Sequence, residues 1–262
     1  MNERIAKILS DTQTRMDALP GHTGFYYKDL VTGESFGVRE KEPFLAASVI
    51  KLPIYLYILR EAAAGRADLT ERLTVHEADK LPISGALNLF VGEPSVDLQT
   101  LCNLMISLSD NTATNLLIRR FGLEELNGWF RELGLEATVL RRVLFDDEAA
   151  SRGVENTVSP YEMGSLLEEL FFGRFVSPEV SRAAMELLKQ QQVYHKLGGM
   201  ICEAAPIAHK TGEDPGITND VGIVCAAAPF VACYTGHDTW VPGFENLIRE
   251  SSYQLFLEHQ SV

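Results

Sequence analysis

Nothing in this 262-residue chain runs for eighteen apolar residues without a break; the nearest approach, Val221 to Gly236, is interrupted at Pro229. That excludes a membrane-spanning helix and leaves two strands and a turn as the reading of the stretch. Positive charge is scarce too. The 23 Lys and Arg residues face 36 Asp and Glu, a formal net charge of -13 and a pI near 4.9. Such a surface repels phosphate backbones and anionic lipid alike, and no basic stripe offsets it, so neither nucleic acid nor membrane is an expected partner. Cysteine is sparse: Cys102, Cys202, Cys225 and Cys233 form no Cys-x-x-Cys pair and have no histidine at zinc-site spacing. Their spacing predicts no metal site, no cofactor and no disulfide scaffold. The N-terminal MNERIAKILSDTQTRMDALPG lacks the apolar block of a secretory signal. As written the sequence predicts a cytoplasmic protein; a secreted origin stays open if the N-terminus was trimmed.

Apolar residues at 46% and charged residues at 23% describe a chain able to bury a sizeable core and fold alone. Ile5, Leu9, Thr12 and Met16 recur at helical spacing, predicting a helix over residues 2 to 18. Gly24–Leu30 and Ser35–Arg39 predict two strands. From Ala47 to Ala204 the pattern is almost wholly helical, after which Pro206–Thr211, Asn219–Ala226 and Phe230–Thr235 revert to strands and Phe244–Glu258 closes as a helix. Strands from both ends with helices between predict a three-layer α+β fold: one antiparallel sheet under terminal helices (residues 1–46 and 205–262), with a helical lobe inserted at 47–204. A cleft between the lobes is the natural place for a ligand.

Three short patterns carry candidate chemistry. Gly33-Glu34-Ser35-Phe36-Gly37 fits G-x-S-x-G, but no helix follows it and Thr32-Gly33 predicts a hairpin turn, so Ser35 is a decoy. Ser48-Val49-Ile50-Lys51 sets a serine and a lysine on one helical face, where a desolvated amine can act as base toward a hydroxyl. By composition about 0.5 such matches arise by chance, so the motif alone decides nothing. Ser109-Asp110-Asn111, equally an ordinary helix N-cap, and Lys210-Thr211-Gly212, equally a strand entering a turn, are expected about 0.02 and 0.03 times. His209 is a poor base candidate, since it points to the strand face opposite Lys210. The other histidines lie outside the motifs.

In order and spacing, 61 residues from Ser48 to Ser109 and 101 from Ser109 to Lys210, the trio resembles that of class A β-lactamases and penicillin-binding proteins. MISLSDNTATNLLI and HKTGEDPGITNDVGIV look like the same family, and the resemblance spans nearly the whole chain. It implies a β-lactamase/transpeptidase-like fold and a monomeric serine hydrolase of small molecules. Ser48 would form an acyl-enzyme, Lys51 would take its proton, and Ser109 would relay a proton to the leaving nitrogen. Asn111 would hold Lys51 and the substrate amide, while Lys210 and Thr211 would receive a substrate carboxylate. Gly212 lies between these and Glu213, whose N–H would join that of Ser48 in an oxyanion hole.

The resemblance breaks at two places. The Glu-x-x-Leu-Asn segment whose Glu would activate the deacylating water is missing from RRVLFDDEAA, leaving Asp146, Asp147 and Glu148 as stand-ins or as a solvated acidic face. Tyr55 and Cys102 occupy the positions that some class A enzymes bridge by a disulfide, so that bridge cannot form. Alternatives are a D-Ala-D-Ala peptidase or esterase on the same scaffold, and a β-lactam sensor without turnover.

Overall fold

Strands from the two ends of the chain pair into one antiparallel sheet because their side chains alternate between two apolar surroundings. The computed structural model describes residues 2–260; residues 1, 261 and 262 of the expected lobe boundaries lie outside them. In chain order the helices are α1 Glu3–Asp17, α2 Lys51–Ala63, α3 Leu98–Ser107, α4 Asn111–Phe121, α5 Leu123–Glu132, α6 Asp147–Ser151, α7 Pro160–Phe171, α8 Pro178–Leu188 and α9 Val241–His259. The strands are β1 His22–Asp29, β2 Ser35–Val38, β3 Phe44–Leu45, β4 Arg72–Thr74, β5 Ser95–Asp97, β6 Thr157–Val158, β7 Ile207–Asp214, β8 Ile217–Val224 and β9 Phe230–His237. The main sheet runs β2-β1-β9-β8-β7, antiparallel throughout.

Phe25, Tyr27, Phe230, Ala232 and Tyr234 pack on one face with Leu9 and Met16 of α1 and Ile248 and Leu255 of α9. The alternate residues Tyr26, Ala208, Val221, Val231 and Cys233 join the core of the central helices. Burial on both faces is why Val221–Ala232 is nearly continuously apolar. The helices start where the chemistry of the ends allows: the side chains of Ser159 and Ser177 accept from the N–H groups of Glu162 and Val180, each with proline in the first turn.

The region 47–204 is not purely helical. β4 pairs with β5, and β3 pairs with β6 in the register Phe44↔Val158; pieces of two or three residues are too short to leave a period in the sequence. The decoy Ser35 is exposed on β2, opposite Lys28 across the hairpin. All four cysteines are free. No helix among the described residues is long and apolar enough to cross a membrane.

Candidate active site

Ser48 lies in a single 3-10 turn, Ala47–Ile50, ahead of α2. The chain entering that turn is held from two sides. The Asn219 side-chain amide donates to the carbonyls of Leu45 and Ala46 at 2.9 and 3.1 Å, and Ala46 N–H donates to Asn156 O at 2.9 Å. Ala47 is thereby kept at φ 39°, a left-handed conformation that an L-residue adopts only when its surroundings over-determine it. Gly212 makes the approach of β7 possible. A Cβ there would lie 2.9 Å from Ala46 O and 3.2 Å from Ser48 N, so strand and turn meet backbone to backbone. β7 is also an edge strand, so half of its backbone groups find no partner in the sheet.

Lys51 begins α2 and is completely buried. Its amine donates to Ser109 O at 2.7 Å, Ser109 Oγ at 3.0 Å and Asn111 Oδ1 at 2.7 Å. Among the described residues its hydrogen bonds go to the Ser-Asp-Asn segment and none goes to Ser48, so the direct contact suggested by spacing is replaced by this one. Lys210, also completely buried, donates to the same Ser109 Oγ at 3.1 Å and to Thr211 O at 2.8 Å. One hydroxyl therefore sits between two lysines. Burial first, then the charge of Lys210, holds the Lys51 amine well below its ordinary value, with Asp110 opposing. Burial first, then the charge of Lys196, brings Lys210 to about 7, against Asp220 and Glu213. Lys210 is thus poised to hold or release a proton near neutrality, and burial beside it favours the neutral form of Lys51.

Asp110 is indeed a helix cap: its Oδ1 accepts from Ala113 N–H at 2.9 Å, while Oδ2 accepts from Ala86 and Leu87 N–H at 2.7 and 2.9 Å. The cap and the catalytic reading coexist, since Ser109, at φ 54°, and Asn111 on either side turn toward Lys51. Asn111 also donates to Ile83 O at 2.9 Å. His209 lies on the other strand face with Nδ1 2.8 Å from Asp220 Oδ1, completely buried.

A cavity of about 630 Å³ opens over these groups, lined among others by Ser48, Asn111, Leu144, Asp147 and Glu213. Lys210, Thr211 and Gly212 lie buried behind it. The three acidic stand-ins part company here. Asp146 caps α6, accepting from Ala149 N–H at 2.9 Å, and Glu148 pairs with Arg152 at 2.6 Å. Asp147 alone of the three lines the cavity, at an exposed position.

Sequence reasoning missed the residues that hold that wall. Asn115, one turn beyond Asn111 on α4, donates to Leu144 O at 2.8 Å and accepts from Leu144 N–H at 2.9 Å. Asn156 accepts from Arg141 and Arg142 N–H at 2.7 and 3.0 Å and closes the base of the same loop. Lys196, completely buried with its amine 2.8 Å from Glu213 Oε1, was missed as well. Isolated Asn and Lys residues carry no pattern from which such long-range partners can be read.

The profile of the Beta-lactamase enzyme family matches residues 2–255 of the chain. A β-lactamase of Rhodobacter capsulatus is 31% identical over 243 residues, 90% of this chain and 83% of that protein. Among solved structures, a β-lactamase from Sphaerobacter thermophilus aligns with a TM-score of 0.88 and 28% identity over 98% of both chains. PBP-A aligns with the same TM-score at 30% identity, covering 98% of this chain and 97% of its own. A mutant of PBP-A, 29% identical over the same shares with a TM-score of 0.88, was solved as an acyl-enzyme complex with penicillin G.

Proposed function

The chain belongs to the beta-lactamase enzyme family and is a serine hydrolase acting on the amide bond of small β-lactams, and we propose that Ser48 is the residue that carries the acyl group. Ser48 Oγ attacks the lactam carbonyl while its proton passes to the neutral amine of Lys51. This transfer brings Lys51 into hydrogen-bond reach of Ser48 when substrate fills the cavity. The N–H groups of Ser48 and Glu213 receive the developing oxyanion. As the C–N bond breaks, Ser109 Oγ, 3.0 Å from the Lys51 amine, hands a proton to the leaving nitrogen. Lys210 and the Thr211 hydroxyl hold the substrate carboxylate, and Asn111 steadies Lys51 and the substrate amide.

Release of the acyl group requires a base that aims water at the ester. Leu144, the residue that Asn115 fixes on the cavity wall, has none to offer, so we read acylation as fast and deacylation as slow. The observation that carries the acylation reading is the chain Lys51–Ser109–Lys210 through one shared hydroxyl. Intact mass followed over time after mixing with penicillin G, and separately with a nitrophenyl ester, tests it. One covalent equivalent on Ser48 that decays slowly is expected; absence of any adduct would overturn the assignment. The apolar Leu144 also favours a second reading, a D-Ala-D-Ala peptidase or esterase, for which ester or peptide would turn over faster than penicillin. A permanent adduct would instead indicate a sensor.

A further inference from the structure

Apart from the serine and lysine machinery, one group of ligating side chains converges on the same cavity: His195 from the segment after α8, Glu213 from β7 and Glu245 from the first turns of α9. His195 Nε2 lies 3.5 Å from Glu213 Oε1 and 3.4 Å from Glu245 Oε1, and the three ligand atoms all lie within 4.8 Å of one another. Those separations are long for hydrogen bonds. The two histidine separations also match a tetrahedral edge, which for metal–ligand bonds of about 2.0–2.1 Å is about 3.4 Å.

The carboxylates are already oriented by neighbours that stand behind them. The Thr218 hydroxyl donates to Glu245 Oε1 at 3.1 Å, and the buried Lys196 amine donates to Glu213 Oε1 at 2.8 Å. Such outer contacts fix ligands while leaving their remaining lone pairs for an ion. Lys196 offsets one of the two carboxylate charges and leaves the other for the ion. We propose that His195, Glu213 and Glu245 form a binding site for a divalent transition-metal ion of the zinc type, with its fourth position open to the cavity. One imidazole and two carboxylates are a donor set suited to such an ion, and three protein ligands leave room for water. A bound ion sets positive charge beside the carboxylates of Glu213 and Glu245 at the edge of the cavity. The ligands stand 18 and 32 residues apart, which is why no spacing motif announces them.

The proposal uses side chains that take no part in the acylation step, sharing with it only the backbone of Glu213, and is tested on the full chain with zinc alone. Cys202→Ser serves as the parent, removing the exposed thiol as a competing ligand. Titration against a chromophoric chelator should give one zinc per chain, and adding His195→Gln or Glu245→Gln should weaken binding at least about tenfold. Both variants should still be labelled covalently by penicillin without zinc, which reports an intact fold. Parent protein that binds no stoichiometric zinc, or variants that bind as the parent does, would overturn the site. In zinc-soaked crystals the anomalous density should lie between the three side chains; a peak only elsewhere would overturn it equally.

Discussion

The floor and the wall of the cavity are built to different standards. On the floor, Lys51, Ser109 and Lys210 come from three separated segments and meet through buried hydrogen bonds of 2.7–3.1 Å, with Ser48 in the turn just ahead of Lys51. On the wall, the loop from Arg141 to Glu155 is held through its backbone by Asn115 and Asn156, while its carboxylates cap, pair with arginine or face solvent. In the mechanism proposed, opening the lactam draws on the floor and clearing the ester on the wall. A site can therefore be complete for the first half of a reaction and incomplete for the second, although both halves share one cavity.

The harshest test of the floor is Ser48→Ala, which should abolish covalent labelling by β-lactam or fluorophosphonate. Ser35→Ala should leave labelling intact, because Ser35 is an exposed strand residue of a hairpin. Labelling that survives the first change would remove Ser48 from the mechanism. The matching test of the wall is a gain of function. Asn115 fixes both backbone groups of residue 144, so Leu144→Glu should place a carboxylate at the cavity and speed loss of the penicillin adduct. The gain should fall in the range of a hundred to ten thousand fold that a general base supplies. An adduct as long-lived as the parent's would show that the wall is not what limits turnover.

What was legible in the sequence follows the same division. The floor announces itself because acyl transfer needs particular residue types at particular points, and one common four-residue pattern followed in order by two rare tripeptides is hard to obtain by chance. The long helices and the sheet are legible from period alone, as in α1 with Ile5, Leu9, Thr12 and Met16 buried. The missing base of the wall was legible, but what holds the wall was not: the roles of Leu144 and Asn115 depend on a pairing across 29 residues through backbone atoms. β7 runs beyond the expected Thr211 to Asp214 because register with Ile217–Asn219 continues the ladder through Gly212 and Glu213. A strand end set by its neighbour leaves no local signal.

Returning to the floor, Lys51→Ala should fold and still acylate, about a hundredfold more slowly, the usual scale for removing a general base. Stopped-flow acylation at the parent's rate would assign the deprotonation to another group. A smaller effect, roughly tenfold, is expected from pH. Lys51 takes a proton only when neutral, so acylation should rise as pH increases through its depressed value. Lys210 attracts a carboxylate only when charged, so binding of an anionic β-lactam should fall as pH rises through about 7. The alkaline limb should disappear for an uncharged ester; a limb of equal size for both substrates would detach it from Lys210.

The smallest effects should come from the acids of the wall. Asp146→Asn keeps a side-chain oxygen able to cap α6, so neither the loop nor turnover should change. Glu148→Gln removes only an exposed ion pair with Arg152, which is worth little in water. Asp147 is the informative member, because it alone of the three lines the cavity with Ser48. An exposed carboxylate surrounded by water is a weak candidate to order a single water molecule against an ester, since the attack gains most in a closed, dry site. Asp147→Asn should therefore alter the decay of the penicillin adduct by less than about threefold, below the scale of a general base. A loss of about a hundredfold in that one variant would make Asp147 the missing base and bring the wall to the standard of the floor.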